Sequence, residues 1–276
     1  MTTASASLRR RYLLVALVGA LATAALAVLV GAALGVGVAT RWLPLAALAV
    51  AYTLWALERD LDANHPPTAD PGAGSRPDGR VVYGAIGVAN GVTLARGWLY
   101  AWVAGCLLVA PPTGTAWAWA PALAYGGGAA LDWVDGRVAS TIGRRTVLGE
   151  RLDLAFDTMG FLVAPVVAVA WGALPAWYLS ISAARYLFKF GCWLRARRDR
   201  PVGDLPASAV RRPLAGLQMA VIAFALLPAT PRAVVWPVAT AAMVPSLAVF
   251  ARDYLSVTGW FGKPNANETA DPPSET

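Results

Sequence analysis

The chain has 276 residues, a formal net charge of +7 and a mean hydropathy of +0.53, with 57% hydrophobic and 14% charged residues. Ordinary soluble domains carry roughly a quarter charged residues, so this composition excludes that class. It points to an all-α integral membrane protein, because backbone in hydrocarbon has to be hydrogen-bonded within its own segment and a helix of about 20 apolar residues spans the bilayer.

Residues 1–57 read as a two-helix membrane hairpin. Arg9, Arg10 and Arg11 precede an apolar run from Tyr12 to about Val38, longer than the roughly 7–15 residues of a secretory signal core. A second run, Leu43 to Leu57, returns the chain to its starting side. Residues 58–82 are rich in Pro, Gly and Asp without apolar periodicity and read as a flexible linker. His65 lies in it and is expected to be solvent-exposed.

Residues 83–256 read as a six-helix core. It opens with Asn90, Thr93 and Arg96 along one helical stripe, a pattern that by itself fits a surface helix with its polar face among headgroups. Spans are expected near residues 97–110, 116–134, 152–171, 176–194, 214–227 and 233–250. Pro111-Pro112, Gly172 with Pro175, and Pro228 with Pro231 fall in the breaks. With the hairpin this makes eight helices. Gly126, Gly127 and Gly128 allow close packing or room for a ligand. Residues 257–276 read as a polar, disordered tail.

Basic residues cluster in the loops between apolar runs, which is the positive-inside pattern and not a nucleic-acid footprint. Of the 23 Lys and Arg residues, Arg41 and Arg232 fall on one side and Arg185 and Lys189 within a span. The rest share the other side, which marks it as cytoplasmic. Trp42, Trp98, Trp117 and Trp260 near span ends suit an interfacial aromatic belt. Cys106 and Cys192 lie in predicted spans without metal-site spacing, so neither a disulfide framework nor a zinc site is expected.

The stretch from Asp132 to Asp157 sets four carboxylates, Asp132, Asp135, Asp153 and Asp157, in or beside two apolar segments. A charge within a span is disfavoured by roughly 2.5–3.5 kcal/mol on insertion scales, so such groups face a partner, a cavity or an ion. The pairs are spaced i,i+3 and i,i+4, one face of each helix. A basic turn containing Arg144 and Arg145 joins the helices, predicting antiparallel neighbours whose carboxylate ends meet. Crowded hard oxygen ligands call for a hard cation such as Mg²⁺ or Mn²⁺.

Asp132-x2-Asp135-Gly136-x2-Ala139 followed by Gly149-x3-Asp153-x3-Asp157 resembles the signature of the CDP-alcohol phosphotransferases, membrane enzymes of phospholipid synthesis. Asn90-x2-Thr93-x2-Arg96 is similar to a stretch that often precedes it. Ser140 stands where the family has an arginine, and Arg137 and Arg144, a turn to either side, are candidates for that charge.

The resemblance implies transfer of a phosphatidyl or archaetidyl group from a CDP-linked lipid to an alcohol, with release of CMP. It implies two divalent ions on Asp132, Asp135, Asp153 and Asp157, with Asp157 also the base. Gly136, Ala139 and Gly149, with Asn90, Thr93 and Arg96, would contact the nucleotide. It further implies a homodimer in the cytoplasmic membrane, its site facing the cytoplasm.

Arg185 and Lys189, on one face within a span, with Arg195 beyond it, fit an anionic acceptor such as glycerol phosphate or inositol phosphate. The Arg185 segment and Gln218-Met219 resemble the glycerol-phosphate branch, and Arg195 to Arg197 the inositol-phosphate branch. Ser140 leaves a catalytically inactive homologue open. Intramembrane Asp and Arg leave an ion- or proton-coupled transporter open.

Overall fold

The computed structural model of the chain describes residues 6–67, 82–110, 112–141 and 145–259, and within these the side chains of all but 133–141. Among the described residues there are eight α-helices and no strand: α1 (Ala6–Leu34), α2 (Val36–Arg59), α3 (Val88–Gly105), α4 (Ala120–Thr141), α5 (Val147–Ala170), α6 (Leu179–Arg197), α7 (Arg211–Ala225) and α8 (Arg232–Val257). Five are long and apolar enough to cross a membrane: α1, α2, α3 with the turn after it, α5 and α8. The other three were also expected to span, but α6 carries Arg185, Lys189, Arg195 and Arg197, α7 has 15 residues, and α4 carries the acidic motif. Large apolar side chains such as Leu13, Leu17 and Leu21 of α1 and Leu187 and Phe190 of α6 are exposed, as suits a lipid-facing surface.

Apolar patterning alone starts the second helix at Leu43, yet α2 begins at Val36 and Arg41 lies on it. The chain turns at Gly35, whose φ of 98° is open to a residue without Cβ, and the Gly35 amide bonds back to Gly31 O at 3.0 Å. Trp42 is buried, because Gly105 of α3 gives its indole room.

Helix α3 packs against α2, α4 and α5. The Tyr100 ring sits between Gly128 of α4 and Gly160 of α5, where an added Cβ would come within 2.4 Å and 2.7 Å of ring carbons. Phe156 of α5 lies over Gly97 of α3 in the same way, at 2.8 Å. Glycine notches filled by rings hold both α4 and α5 against α3. On the far side, Gln218 of α7 accepts from Tyr178 Oη at 2.5 Å and donates to Ala242 O and Ser246 Oγ of α8 at 2.7 Å and 2.9 Å.

Two expectations fail at the start of the core. Asn90, Thr93 and Arg96 do not lie on a separate surface helix: α3 runs unbroken through them, and all three face the protein interior. The beginning of the supposed linker is built structure. Asp60, Asn64 and His65 are buried there, and His65 O accepts from the Val147 amide at 3.0 Å. Burial pushes the Asp60 carboxyl up, but hydrogen bonds from Arg59 and Arg151 outweigh it and hold the group below its ordinary value. Residues 68–81 and 260–276, which include the remainder of the expected linker, most of the expected tail and Trp260, lie outside the described residues.

Gly160→Ala is expected to lower stability by about 1–3 kcal/mol through a forced shift of Tyr100. Gly91→Ala, on the same helix as Tyr100 with nothing within 4 Å of the added methyl, should be neutral or slightly stabilising. Thermal unfolding of both variants in detergent checks this, and equal losses would contradict the notch.

Candidate active site

Helix α3 starts after Gly87, and its first turns carry Asn90, Thr93 and Arg96 on the stripe that meets α4 and α5. Arg96 is 1% exposed. Its Nη1 donates to Asp132 Oδ1 of α4 and its Nη2 to Asp153 Oδ1 of α5, and Nη2 lies 3.2 Å from Asp157 Oδ1 one turn further along α5. A guanidinium buried this deeply persists because charged acceptors replace its water. The three carboxylates remain partly exposed on their other side.

Oxygens of Asp132, Asp153 and Asp157 all fall within 4.8 Å of one another. Three carboxylates against one guanidinium leave an excess of negative charge. Asp157 Oδ1 is buried and accepts no hydrogen bond among the described residues. An all-oxygen donor set with surplus charge and an unsatisfied oxygen fits a hard divalent cation. Asp135 lies on α4, three residues beyond Asp132, but its side chain is outside the described residues. So are the side chains of Arg137 and Ala139, the surroundings of Gly136, and the whole of Arg144.

The cluster borders a cavity of about 850 Å³ between α3, α4, α5 and α7. That volume suits a sizeable ligand. Asn90, Thr93, Asp132, Gly149, Asp153 and Asp157 line it, which gathers six of the expected site residues in one place. The α5 end of the cavity is built by an N-cap: Thr146 Oγ1 accepts from the Gly149 amide at 3.0 Å and from Asn90 Nδ2 at 3.2 Å. Gly149 has no room for a side chain, since a Cβ would stand 2.6 Å from Asn90 Oδ1. Gly128 serves packing, while Gly126 lines the cavity.

A smaller cavity of about 210 Å³ adjoins it across Phe161 and Ala215, lined in part by Arg185, Arg211 and Asp253. Arg185 therefore stands next door to the acidic cluster. Lys189 is exposed on α6. Arg195 Nη2 donates to Pro201 O and Thr258 O at 3.2 Å and 3.1 Å, so it closes a loop.

Sequence reasoning passed over Thr146 and Glu150, and did not single out Arg212 from the loop arginines or see the α7 wall made by Ala215, Gly216, Met219, Ala220 and Ala223. The wall had a signal in its small residues, Ala215, Gly216, Ala220 and Ala223. Arg212 was hidden among loop arginines with an ordinary topological explanation.

These features define a multi-pass helical membrane protein with an acidic, cation-competent centre opening on a large cavity. Residues 86–251 match the family described as CDP-alcohol phosphatidyltransferase, and the chain belongs to that family. Membership makes it a transferase of phospholipid biosynthesis, moving a phosphatidyl group from a CDP-alcohol to an acceptor. No curated protein and no solved structure matches the chain.

Removing the guanidinium exposes the carboxylates to one another. Arg96→Met should cost roughly 2 kcal/mol of stability in chelator, and millimolar Mg²⁺ should recover more of the melting temperature than it adds to the wild type. Identical melting of the two proteins in chelator would contradict the ion-pair role.

Proposed function

We propose that the chain transfers a phosphatidyl group, or its ether-linked archaetidyl counterpart, from a CDP-linked lipid to a phosphorylated polyol such as glycerol phosphate or inositol phosphate. The observation that carries this is the meeting of Asp132, Asp153 and Asp157 at the edge of one large cavity, inside the matched region. Residues 83–256 form the six-helix catalytic core, and residues 1–57 a membrane hairpin docked on it through α2. The concentration of basic residues on one side puts the cavity mouth on the cytoplasmic face of the cell membrane.

The acceptor hydroxyl attacks the lipid-linked phosphorus, a new P–O bond forms, the bond to CMP breaks, and the hydroxyl proton passes to Asp157. Asp157 suits this role because its carboxylate lines the cavity and is partly exposed there, within reach of an incoming hydroxyl. Asp132, Asp135, Asp153 and Asp157 would hold Mg²⁺ or Mn²⁺, two ions in all, supplying Lewis-acid stabilisation of the pyrophosphate charge. Asn90, Thr93 and Gly149 line the nucleotide side. Arg96 does not reach for nucleotide in this reading and keeps the carboxylates gathered.

The acceptor phosphate is met by Arg185 and Arg212, each lining one of the two cavities that share Phe161 and Ala215. Arg195 is committed to backbone carbonyls and is left out of this role.

Purified protein given CDP-diacylglycerol and either acceptor should release CMP, and chelation of divalent ions should abolish release. Asp157→Asn should cut release by about 10²–10⁴-fold while the protein still inserts and binds Mn²⁺. Wild-type turnover in that variant would remove the base assignment, and absence of CMP with every acceptor would leave an inactive homologue.

A further inference from the structure

The chain between α2 and α3 is fastened to two of the three helices that carry the site, α3 and α5. Asp60, 7% exposed, pairs with Arg151 of α5 at 2.8 Å and with Arg59 at 2.5 Å. Asn64 is fully buried. Its Nδ2 donates to Tyr83 O and Ala85 O, both at 2.9 Å, and its own carbonyl accepts from the Tyr83 amide at 2.7 Å. Those contacts fix the approach to α3. Asn64 Oδ1 also lies 3.5 Å from Asn90 Nδ2, and Asn90 in turn donates to Thr146 Oγ1.

Next in the chain, His65 O takes the Val147 amide, one of the N–H groups that a helix start leaves without an internal partner. The segment therefore reaches α3 at Asn90 and α5 at Val147 and Arg151. From Asn90 to Arg96, and from Val147 to Asp153, is about 9 Å of helix. Pinning the two helix starts at that range sets where the guanidinium and the carboxylates come together.

We propose that residues 60–65 are a positioning strap for the reaction centre, with Asp60, Asn64 and the His65 carbonyl setting α3 against α5. The proposal rests on the acidic cluster being that centre. The strap precedes the matched region, which begins at residue 86, and α2, which packs on α3 and α5, delivers it. A connection that only spans a gap has no need to bury an aspartate, an asparagine and a histidine. Buried polar groups are costly unless paired, and their pairing is directional, so this one holds a specific geometry.

The test uses the full-length protein in detergent with three variants. Asn64→Ala removes two buried donors. Arg151→Glu breaks the Asp60 pair from a half-exposed position where folding is tolerant, and Arg151→Lys keeps a cation there. Mn²⁺ affinity by electron paramagnetic resonance reads the cluster without turnover, and CMP release gives kcat and KM.

Asn64→Ala should weaken Mn²⁺ binding and kcat by about tenfold with KM for the CDP-lipid little changed. Arg151→Glu should do the same by about threefold, and Arg151→Lys should restore wild-type values. Should Asn64→Ala fail to fold, the Arg151 pair decides. Lower melting temperatures with unchanged Mn²⁺ affinity and kcat would overturn the strap while leaving the reaction reading intact. A wild type that neither binds Mn²⁺ nor releases CMP would overturn that reading, and the strap with it.

Discussion

One guanidinium and three carboxylates, brought from three helices to one point, are the constraint on which the site depends. Arg96 has almost no contact with solvent, so its charge is tolerable only while Asp132 and Asp153 accept its hydrogen bonds and Asp157 stays close. The carboxylates in turn are tolerable together only with positive charge among them. The two requirements meet in one arrangement, which places α4 and α5 on either side of α3 with their acidic ends opening on the same cavity.

Packing enforces that arrangement a turn further along. Tyr100 follows Arg96 by four residues, and its ring fills notches at Gly128 and Gly160, on the helices that carry the aspartates. Close approach in a membrane comes from small residues against large ones, because lipid offers no hydrophobic drive for helices to associate. Electrostatics and shape therefore act on the same three helices. The cavity persists beside them because α7 presents small side chains where a leucine or phenylalanine would fill the space.

Much of this was legible in the sequence, for reasons that are local. Charge in an apolar run is anomalous whatever the fold, so the aspartates stood out, and their spacing put each pair on one helix face. Helix existence followed from hydropathy, and the turns came where Gly and Pro put them. What stayed hidden depends on long-range contact. The Asn90 to Arg96 stripe could equally have faced headgroups, and only the packing of α3 between α4 and α5 shows that Arg96 pairs with aspartates 36 and 57 residues away.

Asn64 and His65 looked like linker because their neighbours are Pro, Gly and Asp. Composition reports average solvation, not the partner that a particular amide finds. Helix α6 is less legible: apolar runs flank Arg185 and Lys189, while its four basic side chains take it out of the class that crosses by composition alone.

The claim at the centre is that Asp132 and the Asp153–Asp157 pair jointly hold a cation. Anomalous diffraction at the manganese edge from crystals grown with Mn²⁺ tests it most directly. The account predicts a peak among these three carboxylates, on the cavity side of Arg96. Manganese bound elsewhere, or carboxylates that turn to separate surroundings, would contradict it.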